Sequence, residues 1–540
     1  MARRRYAGSG LKIRLGLLAL LALLTWPAWI EAAGRYEEFT RKASQSPHAE
    51  PVAATHFGSA GHEAFVAASH LPDGAVVAFG NAWGPDYPEH VAPRVLGEAH
   101  GRRYDTSPFE DDAADAEPDL RDPNAAGMIV HFNDNLRQVR QITRFEAGIA
   151  SITHGRVADN GDLIVIGRAT DALPDLAREL TDHFHIQPAP NANDYGPTDY
   201  QHVSTPGHVY VARFSSDASE LKWVWLLEGH RKPGQVFIDH ENHIVTNTRN
   251  LYRITPDGSE LHAIDARGGG RTLAISPVDG TILRGGHNNP GTGREPWWRP
   301  YVNGFDHEGN HLWEIYGWDG RLVGPPPHDR YRLVSDSYVR AGAFDRQGNM
   351  IIAGSSDGGN SVYTRNPVDL DKPVGKNGYG MSSWGMGVGQ VSYLVRIEPE
   401  HFEVVDMSNW LIYLPERNRP NSVWIHHLQP LPGGSLAFAG AAATGLTETP
   451  NAWFRYARDG SRVGGSYVAI FNDSFEHLFY SSYTPGVDIT GLGEAQNGVL
   501  VFGRSREADG NGNQPPAIHA LQGQHAGGRY DAFIALIELP

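Results

Sequence analysis

Short apolar runs separated by tight polar turns recur along this chain, and no helical period competes with them. The clearest stretch runs from Gly148 to Gly167, GIASITHGRVADNGDLIVIG. It reads as a strand, an Asn160-Gly161 turn, and a second strand from Asp162 to Ile166 stopped by Gly167. Two apolar runs joined by an Asn-Gly or Asp-Gly step form the strongest short-range hairpin signal. The same shape returns at 71–80 (LPDGAVVAFG), 238–247 (IDHENHIVTN), 276–286 (SPVDGTILRGG), 344–354 (FDRQGNMIIAG), 431–440 (LPGGSLAFAG) and 495–503 (AQNGVLVFG).

Each hairpin is followed, after a connection, by a second one of alternating apolar and polar residues, such as AGMIVHFNDNLRQVRQITRF (126–145) and GHVYVARFSSDASELKWVWLLEG (207–229). Alternation around a polar turn is what a half-buried strand pair requires. One repeat is therefore four strands, and four-stranded sheets repeated radially make a β-propeller. The seventh hairpin is followed by one strand only, YDAFIALIEL (530–539). The strand missing from that blade is the orphan at 52–57. The expectation is an all-β, seven-bladed β-propeller of four-stranded blades, closed by an N-terminal strand that completes the C-terminal blade. The third blade (234–264) is compact, which leaves six or eight blades as the alternative.

The phrases GGRYDAFIALIEL, GHVYVARFSSDASEL and NGDLIVIGRAT resemble the SBBP-type β-propeller repeats of bacterial secreted and surface proteins. The resemblance runs through the repeats over most of residues 51–539. It implies a propeller in an exported or cell-surface setting, and it carries no catalytic residue onto this chain.

The 540 residues divide into a targeting segment (1–33), a polar lead-in (34–50) and one propeller domain (51–540). Arg3, Arg4, Arg5, Lys12 and Arg14 precede the apolar run Leu15–Leu24, Pro27 breaks it, and Ala32 and Ala33 offer cleavage before Gly34. This is signal-peptide grammar, with an uncleaved anchor as the alternative. It points to a periplasmic, extracellular or cell-surface protein. A net charge of -16 repels phosphate backbones and argues against nucleic acid as a partner. The absence of Cys excludes a disulfide framework and any thiolate metal site or nucleophile.

The spacing between repeats is uneven. The excess falls between the second and third strands, at about 81–126, 168–206, 287–300, 355–390, 441–465 and 504–529. Connections of one type emerge on one face of the ring, so these six segments are expected to crown it, and loops longer than roughly 12–15 residues are often functional. They hold the candidate ligand-binding residues Trp83, His183, His185, His287, Trp297, Trp298, Trp384 and Trp453. Aromatic faces beside His and carboxylates can stack on and hydrogen-bond a sugar or a peptide. The competing reading is that the same aromatics pin the loops to the blades.

No cofactor is expected, with calcium as the alternative. Asp509, Asn511 and Asn513 match the opening of a calcium loop, yet Gln514 stands where its Gly belongs and Ala520 where its Glu belongs, so a Gly-rich turn is the simpler reading. His183 and His185 would share a strand face, without a third ligand nearby in sequence. The functional expectation is a monomeric binding or scaffolding module for a glycan or protein on the loop-rich face. The alternative is a glycan-active hydrolase or lyase with its site at the central channel. An acid and a base converging on one bound group would mark the enzyme.

Overall fold

In the computed structural model the described residues are 47–83, 91–98, 125–188, 208–228, 233–248, 251–264, 272–289, 297–317, 335–357, 361–370, 372–374, 391–410, 412–414, 419–421, 423–441, 446–455, 466–508 and 512–540. Seven antiparallel sheets make seven blades. From the inner strand outward, blade 1 is His62–His70, Val76–Trp83, Ala126–Phe132 and Val139–Phe145. Blade 2 is Ala150–Val157, Leu163–Ala169, His208–Phe214 and Leu221–Glu228. Blade 3, the compact one, has Val236–Ile238, Ile244–Asn247, Leu251–Ile254 and Leu261–Ile264. Blade 4 has Thr272–Ile275, Ile282–Asn288, Arg299–Phe305 and His311–Ile315. Blade 5 has Ser337–Phe344, Met350–Ser356, Val391–Ile397 and Val404–Trp410. Blade 6 has Trp424–Pro430, Leu436–Ala441, Ser466–Phe471 and Leu478–Thr484.

Blade 7 closes the ring. Val487–Ala495, Gly498–Ser505 and Asp531–Glu538 come from the C-terminal end, and the outer strand Glu50–Phe57 comes from the N-terminal end. Seven residue pairs join Glu50–Phe57 to Asp531–Glu538 in antiparallel register. The strand begins two residues earlier than its pattern suggests, and the preceding Ala49 is buried, its N–H bonded to Phe479 O (3.0 Å). Blades pack face to face through alternating strand residues. The seam between blade 7 and blade 1 is an aromatic cluster in which Phe57 lies 5.6 Å from Phe65 and 5.8 Å from Phe132.

The glycine that ends each apolar run does not stop its strand. Leu163–Ala169 runs through Gly167, and Leu436–Ala441 runs through Gly440. Those glycines serve close approach instead. A Cβ on Gly167 would lie 1.8 Å from Ser151 O, and one on Gly440 would lie 1.7 Å from Trp424 O. Beside them the inner strand carries a one-residue bulge, at Thr153 and at His426. Equivalent bulges fall at Val66, Arg340 and Thr490 in blades 1, 5 and 7. A glycine in a strand interior commonly marks a bulge or a close backbone approach, and a bulge re-aims a side chain. Here the bulged residues all line the channel at the centre of the ring.

The long connections do emerge between second and third strands, but much of their described length runs to the outer edge. Arg94–Leu96 pairs in parallel with the outer strand of blade 1, and Phe184–Pro188 does so with that of blade 2. In blade 6, Thr449 and Ser481 exchange backbone and side-chain bonds. In blade 7, Ala54 and Ile518 exchange both backbone bonds (2.9 and 3.0 Å). These segments cover strand edges that would otherwise offer a free row of N–H and C=O groups. Among the described residues, no helix is long and apolar enough to cross a membrane.

Candidate functional site at the channel mouth

The inner strands enclose a channel of about 1750 Å³. Each inner strand enters from the face that bears the second-to-third connections, so its first residues form the mouth on that face and its last residues form the opposite end. Blades 4, 5 and 6 line one side of the mouth with a continuous row of rings. His287 packs edge-on to Trp298 (5.2 Å) and to Tyr338 (4.8 Å). The Arg340 guanidinium lies 4.5 Å from the Tyr338 ring centre and 5.0 Å from that of Trp424. Trp424 in turn lies 6.1 Å from the His426 ring. Trp297, Trp298 and Trp424 are 44%, 38% and 43% exposed.

Each member is held by a local cause. Asp336 accepts hydrogen bonds from the backbone N–H groups of Trp297 (2.6 Å) and Trp298 (3.0 Å), which fixes the end of the blade 4 connection against blade 5. Arg340 is a bulge residue, so its side chain leaves the alternation of the strand and enters the channel. Its Nε donates to the buried Ser355 Oγ (2.8 Å). Its two terminal nitrogens have no partner among the described residues. A guanidinium between two aromatic faces gains cation–π attraction while its donors stay free. Burial draws the Arg340 pKa down, opposed by Tyr338, Tyr363 and Asp357. Burial, and then the positive charge of Arg340, draw His426 down as well, so it is neutral near pH 7.

The opposite end of the channel has another character. Arg346 of blade 5 pairs with Glu494 of blade 7. His154 stacks on Phe237 (6.4 Å), and burial, with Arg156 beside it, pushes its pKa down to about 3. Asp345, which also lines the channel, faces the buried Arg396 (3.5 Å).

Of the sequence candidates, His287 and Trp298 stand in this row and Trp297 lies next to it. Trp83 is instead buried beside Ala64 and Ala125. Trp453 packs edge-on to Tyr480 (5.6 Å), and its backbone N–H donates to the Tyr480 hydroxyl (3.2 Å). His185 stacks on Trp225 (4.7 Å) in the added outer strand, and the exposed His183 is on the same rim, away from the channel. Trp83, His185 and Trp453 are packed against their blades and His183 is exposed on the rim, so these four do not join the row at the mouth. Trp384, Asp509 and Asn511 lie outside the described residues. Asn513 is described and half-buried in the blade 7 connection.

Sequence reasoning missed Tyr338, Arg340 and Trp424, because it searched the loops and these belong to inner strands. It also passed over Asp239, Glu241 and His243 in the first turn of blade 3, whose ligand atoms could converge on a metal ion. Arg253 occupies the middle of that cluster, donating to Asp239 (2.8 Å) and Glu241 (2.6 Å), so it reads as an ion-pair network.

The chain is a seven-bladed β-propeller. No family model matches its sequence, and no curated protein matches it. Among solved structures, BamB from Moraxella catarrhalis aligns over 91% of this chain and 100% of its own, with a TM-score of 0.35 and 9% identity. A likeness at that level carries no argument about function. The SBBP-type resemblance rests on the quoted repeat phrases alone.

Proposed function

We propose that this chain is a binding module whose ligand, a glycan or a protein, docks at the channel mouth on the connection-bearing face. The observation that carries this reading is the row Trp298–His287–Tyr338–Arg340–Trp424, which keeps large aromatic surface in solvent around a wide cavity. Ligand sites are concave, apolar and aromatic, with a few convergent polar groups. The reading needs no cofactor. With the N-terminal segment acting as a signal peptide, the site would face the periplasm or the cell exterior.

The test is a binding screen of the purified chain against a glycan array and a protein-capture panel, beside Trp297→Ala plus Trp298→Ala and Trp424→Ala. Loss of a hit in both variants, at unchanged thermal stability, supports the mouth as the site. A hit that survives both variants places binding elsewhere and ends this reading. Product analysis of any bound glycan tests the hydrolase or lyase alternative.

A further inference from the structure

Resting on that reading of the mouth, we infer that the ligand is an acidic saccharide, with a uronate-type carboxylate held by the terminal nitrogens of Arg340 and its ring face laid on Trp424 or Trp298.

The argument begins with charge. The chain carries a net charge of -16, yet four arginines, Arg156, Arg340, Arg346 and Arg504, line the channel against three carboxylates, Asp159, Asp345 and Glu494. Arg346 is neutralised by Glu494, and Arg504 faces Asp488 (3.4 Å). Among the described residues, neither Arg156 nor Arg340 forms a salt bridge, although the charge of Glu494 reaches Arg156 and that of Asp357 reaches Arg340. An acidic protein that keeps a desolvated, unpaired guanidinium at an opening presents a local positive site against a repulsive background, which selects where an anion can settle.

Geometry then narrows the anion. Arg340 is anchored through Nε to Ser355 and lies against the rings of Tyr338 and Trp424, which leaves its two terminal nitrogens as donors without a partner among the described residues. That fork matches the two oxygens of a carboxylate. The flanking Trp faces offer what the C–H face of a pyranose ring stacks on. An acidic peptide that docks by strand addition would need an unbroken strand edge, and one that docks through its carboxylates alone is the competing occupant that the poly-glutamate arm tests. The inner-strand edges at this site are broken by the bulges at Arg340 and His426. A bulge interrupts the ladder that such a peptide would need.

The test is calorimetric titration of the full chain with galacturonate, glucuronate and mannuronate oligosaccharides, each beside its carboxyl-reduced neutral counterpart, and with poly-glutamate as the peptide arm. The expected result is at least tenfold tighter binding of one acidic oligosaccharide than of its neutral counterpart. Arg340→Ala should erase that difference, Arg340→Lys should restore part of it, and Trp424→Ala should weaken acidic and neutral forms together. Thermal unfolding confirms that the variants fold. Equal binding of acidic and neutral forms, unmoved by Arg340→Ala, overturns the anionic inference and leaves the binding-module reading standing. Preference for poly-glutamate over every saccharide overturns the saccharide. No binding of any probe by the wild-type chain overturns this inference, while the protein-capture panel still decides the broader reading.

Discussion

Phe57 is the residue by which the ring closure can be weighed. It is the last residue of the N-terminal strand, fully buried, and it touches Phe65 and Phe132 of blade 1 while its backbone pairs with blade 7. Truncating a buried Phe to Ala costs about 3–5 kcal/mol, the transfer and cavity contributions together. The two ring contacts, at 5.6 and 5.8 Å, favour the upper half of that range. Unfolding entropy is about 2.1 cal/mol/K per residue, so a propeller of roughly five hundred residues that melts as one unit has an unfolding entropy near ~1 kcal/mol/K. Phe57→Ala should therefore lower Tm by about 4 °C in differential scanning calorimetry, with one transition retained. Phe57→Leu, which keeps most of the volume, should lower it by about 1 °C. Ligand binding at the mouth should be unchanged in both. A shift below about 1 °C for Phe57→Ala would refute the reasoning, because the seam would then not be held by this contact. A second, earlier transition confined to the variant would refute the single-unit assumption instead.

Three further outcomes are expected. Gly440→Ala forces its Cβ against Trp424 O, so it should cost more than about 2 kcal/mol in denaturant unfolding and also weaken binding through the displaced bulge, whereas Gly523→Ala, which meets nothing within 4 Å, should leave both unchanged. Burial, and then His525, push the His56 pKa down to about 4, while the unfolded chain protonates near 6.5; stability should thus be full above pH 6.5 and fall by about 3 kcal/mol toward pH 4, and His56→Asn should flatten that slope in urea titrations at stepped pH. Trp453→Ala should lower stability without touching binding, and Trp424→Ala should do the reverse, as parallel melting and titration curves would register.

The blade count and the closure were legible because turn chemistry and alternation are local and repeat, and because the orphan strand at the front matches the one missing at the back. The edges of each strand were less so. Gly167 was expected to end its strand, since sequence alone cannot separate a glycine that stops a chain from one that admits Ser151 O. That ambiguity also hid half of the candidate site. In YVRAGAF a bulge shifts the period by one residue, and Arg340 enters the channel from a position that strict alternation assigns to neither face with certainty. His287 and Trp298 were named as candidates because they lie beside a long connection. Trp83, His185 and Trp453 share that trait, and only burial separates a ring that pins a loop from one left at the channel mouth.

The closing strand has a consequence for the order in which the molecule is made. Glu50–Phe57 leaves the ribosome before any blade, yet its partners come last: Thr55 bonds Gln522, 467 residues further on. Every other blade can pair strands that are neighbours in sequence, so blades 1 to 6 can form as synthesis proceeds. The first strand must remain unpaired for nearly the whole of that time, and contacts of such separation form slowly. The ring therefore behaves as a completion check. A chain cut short before Asp531 leaves the blade 7 edge of that strand unpaired, and the pairing is complete once synthesis passes Glu538.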